Sequence, residues 1–254
     1  MMTVRSLLVT GGGGGIGRDL SLMAGKAGWH VHVGYNTGAE RAEAVADAIR
    51  AAGGTAGTVW LPLHAADDLR SAAIALAEGD RPPTALALCA APAPDVTTFG
   101  KQTPEQLRTQ LEAQVVGNHL LLAEVWRRCF RSGGGGTVLA VLTAATGPRT
   151  ASHMAGYVAA KAGFEGLLRA AAAELGRAGL RIGVVRPGYV ETPMLGAFPA
   201  LAIERARAAA PGGRFLTPEE VAAPLAAALE TPPEPGAVAE LPLPIPGTSD
   251  RETA

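Results

Sequence analysis

Lysine and cysteine are scarce in this chain, and long apolar runs are missing from it. Three lysines (Lys26, Lys101 and Lys161) and a formal net charge of −1 leave no basic stripe for a nucleic-acid backbone. The two cysteines, Cys89 and Cys129, have neither metal-ligand spacing nor the pattern of a disulfide framework. No metal is therefore expected, and a reducing compartment, the cytoplasm, is. The apolar stretch 120–123 is closed in by His119 and Glu124, so no segment is expected to span a membrane. The opening Met1-Met2-Thr3-Val4-Arg5 leads into an apolar run that glycines interrupt too early for a secretory leader.

What is present is an alternation of strand-length apolar runs with longer segments of helical period. Strands are expected at 7–9, 31–35, 55–63, 84–90, 137–142 and 180–186, and helices at 16–27, 40–52, 67–78, 103–131 and 152–178. Thr103-Pro104 puts a cap and a first-turn proline at the start of the long helix. Thr217-Pro218-Glu219-Glu220 is a capping box that opens a last helix. Residues 237–245 alternate apolar residues with Pro242 and Pro244, which permits an edge strand or a proline-rich tail without one. The expected fold is α/β: a Rossmann-like, doubly wound parallel sheet of about seven strands, helices on both faces, in a single domain over 1–254.

Thr10-Gly11-Gly12-Gly13-Gly14-Gly15-Ile16-Gly17 follows a strand and opens a helix. In that context the glycines allow a tight turn (Gly11), close approach of phosphate to backbone (Gly15) and close packing of the helix (Gly17). The helix N-terminus then offers free N–H groups and partial positive charge to a pyrophosphate. Further along, Tyr157-Val158-Ala159-Ala160-Lys161 sets a phenol and an ammonium on one helix face at i, i+4. A phenol of ordinary pKa about 10 is a poor base, and a neighbouring cation is expected to draw it down towards acid/base duty.

Thr-Gly-x-x-x-Gly-x-Gly, Tyr-x-x-x-Lys and the block Arg186-Pro187-Gly188-Tyr189-Val190-Glu191-Thr192 together resemble the short-chain dehydrogenase/reductase family, over nearly the whole chain. The resemblance implies hydride transfer between a nicotinamide dinucleotide and a carbonyl or alcohol, with Tyr157 and Lys161 catalytic. It implies cofactor contacts from Thr10, Gly11, Gly13, Gly14, Gly15, Ile16, Gly17, Ala90, Ala91, Tyr157, Lys161, Pro187, Gly188, Val190 and Thr192, and a homotetramer or homodimer.

Several positions depart from the family pattern. Ala144 stands where relatives carry a serine that bonds the substrate carbonyl; Thr143 or Thr146 could replace it, with Thr143 preferred because it ends the strand. Gln114 stands where relatives carry the asparagine supporting a water relay to the lysine, and Asn118, four residues on, reads as a bystander. Cys89-Ala90-Ala91-Pro92 replaces a stretch with two side-chain amides, and His64 reads as a surface histidine.

After the second strand come Tyr35, Asn36 and Thr37, with no carboxylate before Glu40. A 2′-phosphate is then not repelled, and Asn36, Thr37 and Arg41, helped by Arg18, would bind it. NADP is the expected cofactor and NAD the alternative. Ala91, Ala145, Met154, Met194 and Phe198 would wall a site for a small uncharged substrate, under a loop at about 194–216. Two other readings stay open: a non-catalytic dinucleotide binder, motivated by Ala144, Gln114 and 89–92, and a cofactor-independent lyase or dehalogenase on the same fold.

Overall fold

A computed structural model of the chain describes residues 5–148 and 151–246. Met1 to Val4, where the leader argument began, and Gly247 onward lie outside the described residues. Seven parallel strands run in the order β3-β2-β1-β4-β5-β6-β7. They are β1 (Ser6–Thr10), β2 (His30–Tyr35), β3 (Thr55–Trp60), β4 (Ala85–Leu88), β5 (Gly136–Val141), β6 (Leu180–Val185) and β7 (Val238–Glu240). The helices are α1 (Gly15–Lys26), α2 (Ala39–Ala51), α3 (Ala66–Glu78), α4 (Pro104–Leu111), α5 (Asn118–Val125), α6 (Ala155–Leu175), α7 (Ala200–Ala209) and α8 (Pro218–Glu230).

Strand alternation divides the core in two. Leu7, Val9, Leu139 and Val141 pack with residues of α1, α2 and α8 on one face. Leu8, Leu86, Leu88 and Val138 pack with α5 and α6 on the other. Each such leucine, fully buried, stabilises the fold by about 1.5–3 kcal/mol relative to an exposed one. The strand order reverses between β1 and β4, and this opens a crevice beyond their carboxyl ends.

The bounds of several elements differ from the sequence expectation, β3 ending at Trp60 and not at 63. The long helix is helical throughout but widens into π-turns at Glu112–Gly117 and Trp126–Phe130. The first of these sits where Gly117 lies against the Leu63 carbonyl, so closely that a side chain there would collide with it. α6 begins at Ala155 and not at 152, because His153 adopts a positive φ of 65° that breaks the helical path. β7 is only three residues and stops before Pro242, the first proline that could not donate to a ladder. The covering loop holds a helix of its own, α7.

Local signals otherwise act as their chemistry dictates. Thr103 and Gln106 close a capping box at α4, and Thr217 and Glu220 do so at α8.

Candidate active site

One cleft of about 1280 Å³ lies over the carboxyl ends of the strands. Thr10, Gly11, Gly13, Gly14, Gly15, Ile16 and Gly17 form one wall, and Tyr35, Asn36, Thr37 and Arg41 extend it. Ala90, Ala91, Thr143, Tyr157, Lys161, Pro187, Gly188, Val190 and Thr192 line the rest, with Ala145, Met154, Met194 and Phe198 beside them. Of the residues singled out in the sequence, Gln114, Asn118, Arg18 and Thr146 are not on this wall.

The glycine turn is shaped by close contacts. Gly15 has φ +49°, and a Cβ there would press on the Thr192 side chain at 3.2 Å. A Cβ at Gly17 would meet the Gly11 carbonyl oxygen at 2.5 Å, so this glycine serves the turn itself more than the sheet. Gly14 faces open space. α1 starts directly after it with no side chain capping its N–H groups. Thr10 ties the turn to β4: its hydroxyl accepts from the backbone N–H of Cys89 (3.0 Å) and Ala90 (3.1 Å). The segment that lacks the usual side-chain amides is thus held through its backbone.

β5 ends against the Pro-Gly block, where the Ala144 N–H donates to the Pro187 carbonyl at 2.9 Å. α6 crosses this end and delivers Tyr157 and Lys161 one turn apart. The Thr143 hydroxyl accepts from the Ala145 N–H at 3.2 Å and stands beside the Tyr157 phenol, whose pKa it pulls down. Thr146, by contrast, donates its proton to the Thr143 carbonyl at 3.0 Å. Lys161 is buried and donates to the Val141 carbonyl at 2.7 Å. Burial brings its ammonium down to about 8, against a smaller opposing pull from Cys89.

The phenol does not behave as the spacing led one to expect. Burial pushes Tyr157 above its usual value, with Thr143 pulling the other way. The Lys161 ammonium lies 5.8 Å from the Tyr157 ring centre and spends a proton on Val141. Protonated phenol, not phenolate, is the form favoured here.

Behind the wall runs a string of buried amides. Gln114 donates to Gln110 at 2.7 Å, and Gln110 donates to the cleft-lining Ala93 carbonyl at 2.7 Å. Asn118 is buried too and donates to the Gln114 carbonyl at 2.9 Å, so it braces the π-turn and is no bystander. The side-chain oxygens of Gln114 and Asn118 have no partner among the described residues. His64 is exposed at the cleft rim, and Arg18 is paired with Asp19 at 2.6 Å.

Sequence reasoning did not foresee that α4 lends Arg108 and Thr109 to the wall and the π-turn lends Glu112, nor that Cys89 lies near Lys161. Surface positions of a helix carry no local mark of such a role. Cys89 sits at the end of β4, a place that could have flagged it; burial pushes its thiol up to about 12.

The family profile described as Enoyl-(Acyl carrier protein) reductase matches residues 12–231. Cyclohexanol dehydrogenase from Acinetobacter sp. (strain SE19) is 30% identical over 233 residues, covering 85% of this chain and 83% of that protein. Cis-4-hydroxycyclohexanecarboxylate dehydrogenase from Sinomonas cyclohexanicum is 31% identical over 226 residues, covering 87% and 88%. A crystal structure of a putative NAD(P)-dependent gluconate 5-dehydrogenase from Beutenbergia cavernae, with bound NADP at low occupancy, superposes with a TM-score of 0.83 at 26% identity, covering 94% and 95%. Sheet order, glycine turn and the matched length lead to one statement: the chain belongs to the short-chain dehydrogenase/reductase family of NAD(P)-dependent oxidoreductases.

Proposed function

We propose that this protein reduces a small uncharged ketone, or oxidises the matching secondary alcohol, with NADP(H). The observation that carries the reading is the convergence of Tyr157, Thr143 and buried Lys161 in the same cleft as the glycine turn.

The donor set fits a dinucleotide. The first turn of α1 has N–H groups that no side chain caps, and Gly14 beside it faces open space. Gly11 to Gly17 would hold the pyrophosphate, while Ala90, Ala91, Pro187, Gly188, Val190 and Thr192 would hold the nicotinamide half. Tyr35, Asn36, Thr37 and Arg41 would hold the far ribose. Arg41 donates to the Thr37 carbonyl at 3.3 Å, and among the described residues no carboxylate lies within ion-pair distance of it. That unneutralised charge supports a 2′-phosphate over a 2′-hydroxyl, as does the NADP in the similar crystal structure.

The bound dinucleotide supplies or accepts the hydride. Tyr157 gives its proton to the carbonyl oxygen as negative charge grows there, and burial keeps that proton in place at neutral pH. Thr143 serves as the second donor in place of the absent serine hydroxyl. Lys161 supplies a desolvated positive charge beside the developing alkoxide. Gln114, behind the wall, offers an unpartnered oxygen to a water leading back towards Lys161. Ala91, Ala145, Met154, Met194 and Phe198 select an uncharged, compact substrate, and the ring alcohols in the names of two relatives support cyclic ketones as first candidates. The family resemblance supports a homotetramer or homodimer.

The test is Tyr157→Phe, assayed with NADPH against a panel that includes cyclohexanone. Turnover should fall to near background while NADPH still binds; unchanged turnover would overturn the assignment. Titration with NADPH and NADH, in wild type and Arg41→Ala, tests the cofactor: the preference for NADPH should shrink in the variant. Ala144 favours one other reading, a dinucleotide binder without catalysis, and robust turnover of any ketone rejects it.

A further inference from the structure

The segment from 192 to 215 leaves and re-enters the body at one place. Val190 pairs with Leu216, and the Glu191 N–H donates to the Leu216 carbonyl at 2.9 Å. Between these ends lies α7, which buries none of its residues. Its apolar residues Ile203 and Ala206 are only half-buried, so apolar packing holds the helix weakly. What reaches from it to the base is Arg207, whose guanidinium forms a two-pronged ion pair with Glu191 and lies 4.5 Å from the centre of the Phe215 ring. Phe215 in turn lies against Tyr189 at 5.1 Å, and Tyr189 meets Phe198 edge-on at 5.5 Å. Tyr189 and Phe198 are cleft-lining residues.

The geometry points to Arg207 and Glu191 as positioning residues that latch the lid and thereby set the substrate wall. One planar cation grips a carboxylate on one side and an aromatic face on the other, a double use open to arginine and not to lysine. The pair is partly exposed, with side-chain exposures of 39% and 36%, so salt screens it. Opening the latch releases α7 and the Phe198 contact with Tyr189, while Val190 and the Glu191 N–H stay paired with Leu216 and keep the cofactor-lining backbone in place. The latch acts on the carbonyl substrate and not on the dinucleotide.

The kinetic part of this assignment rests on the reductase reading; the conformational part does not. The experiment compares Arg207→Ala, Arg207→Lys, Glu191→Gln and the Arg207→Ala/Glu191→Gln double variant in the full chain, with and without NADPH. Hydrogen exchange of amides 200–209 should speed up about five- to tenfold in Arg207→Ala, while amides of β1 and β4 keep their protection. Arg207→Lys should recover part of the loss, and the double variant should be little worse than Arg207→Ala alone. With a substrate in hand, KM for the ketone should rise by a similar factor, with kcat and the NADPH dissociation constant nearly unchanged. Added salt should move wild type towards Arg207→Ala and leave the variant where it is. Wild-type exchange at 200–209 in Arg207→Ala would overturn the latch, and so would equal loosening of the sheet. If no ketone is turned over, the exchange result still decides the latch, and the reductase reading fails separately.

Discussion

The Thr143 hydroxyl accepts the Ala145 N–H and stands beside the Tyr157 phenol, so one threonine sits between the end of β5 and α6. Accepting from Ala145 uses one of its two lone pairs and leaves its own proton available to the cleft that it lines. Ala144 has no such group, and Thr146 has already given its proton to a backbone carbonyl.

Removing that hydroxyl should therefore be costly. Thr143→Val is expected to lower kcat for ketone reduction by roughly 10²–10³, the usual loss for one donor to a developing oxyanion. Thr143→Ser should retain most activity, and NADPH affinity should hardly change in either. Steady-state kinetics with a fluorescence titration of NADPH checks both; a fully active Thr143→Val would move the donor elsewhere.

The same contact sets a pH dependence. Burial raises the Tyr157 phenol above its ordinary value of 10 and Thr143 opposes the rise. Reduction needs the protonated phenol, so its rate should stay level through neutral pH. Alcohol oxidation needs phenolate, so its rate should climb by about tenfold per pH unit below the phenol's pKa. Thr143→Val removes the opposing pull and should shift the oxidation limb to higher pH. An oxidation optimum at neutral pH would contradict this.

The features legible in the sequence were those fixed by local spacing. Thr10 to Gly17 and the Tyr157/Lys161 pair need only a strand, a turn and a helical period to be read. The π-turn at Glu112–Gly117 left no such trace, and the Leu63 carbonyl that Gly117 lies against comes from a distant stretch of the chain. α7 was missed for a different reason: none of its residues is fully buried, and the half-buried Ile203 and Ala206 make too short an apolar stripe to read. The protonation of Tyr157 was misjudged because spacing says which groups are near, whereas burial decides which of them is charged. Lys161 turning to Val141 is a tertiary fact.

Lys161 should weaken the fold that it serves. Its ammonium titrates at about 8 in the folded chain against 10.5 ordinarily. Between those values the unfolded chain holds a proton that the folded chain has released, so stability rises with pH across that window. Below it the folded state bears the burial cost in full. Lys161→Met should thus raise Tm at pH 7 in the absence of dinucleotide, by at most on the order of 3 kcal/mol in stability, offset by about 1 kcal/mol for the lost Val141 bond. The gain should shrink as pH approaches 10.5, while activity is lost throughout. Thermal melts of both proteins at pH 7 and at the alkaline limit decide it; a lower Tm for the variant at pH 7 would count against the burial cost.

Acid should weaken the opposite end of the sheet first. His30 opens β2 and its ring lies edge-on to His32 at 4.6 Å. Arg81 donates to the Thr55 hydroxyl at 3.0 Å, and the same hydroxyl is hydrogen-bonded to Nδ1 of His30 at 3.1 Å. Burial, with His32 and Arg81 adding to it, brings His30 down to about 4 from 6.5. His32 is lowered as well by burial, against the pull of the Arg81 carbonyl. Both folded-state values lie below the unfolded one, so the unfolded chain takes up protons first and stability falls as pH drops from 6.5 towards 4. The paired carboxylates act lower down: Glu165, held at about 2 chiefly by Arg186, loses its contribution only below its ordinary 4.5. The two windows separate the causes. Melting curves for wild type and His30→Gln/His32→Gln should therefore diverge in slope between pH 7 and 5 and run parallel below pH 4, since 4 is where the His30 ring is already charged. Equal slopes in the upper window would remove the histidine pair as the origin of acid sensitivity.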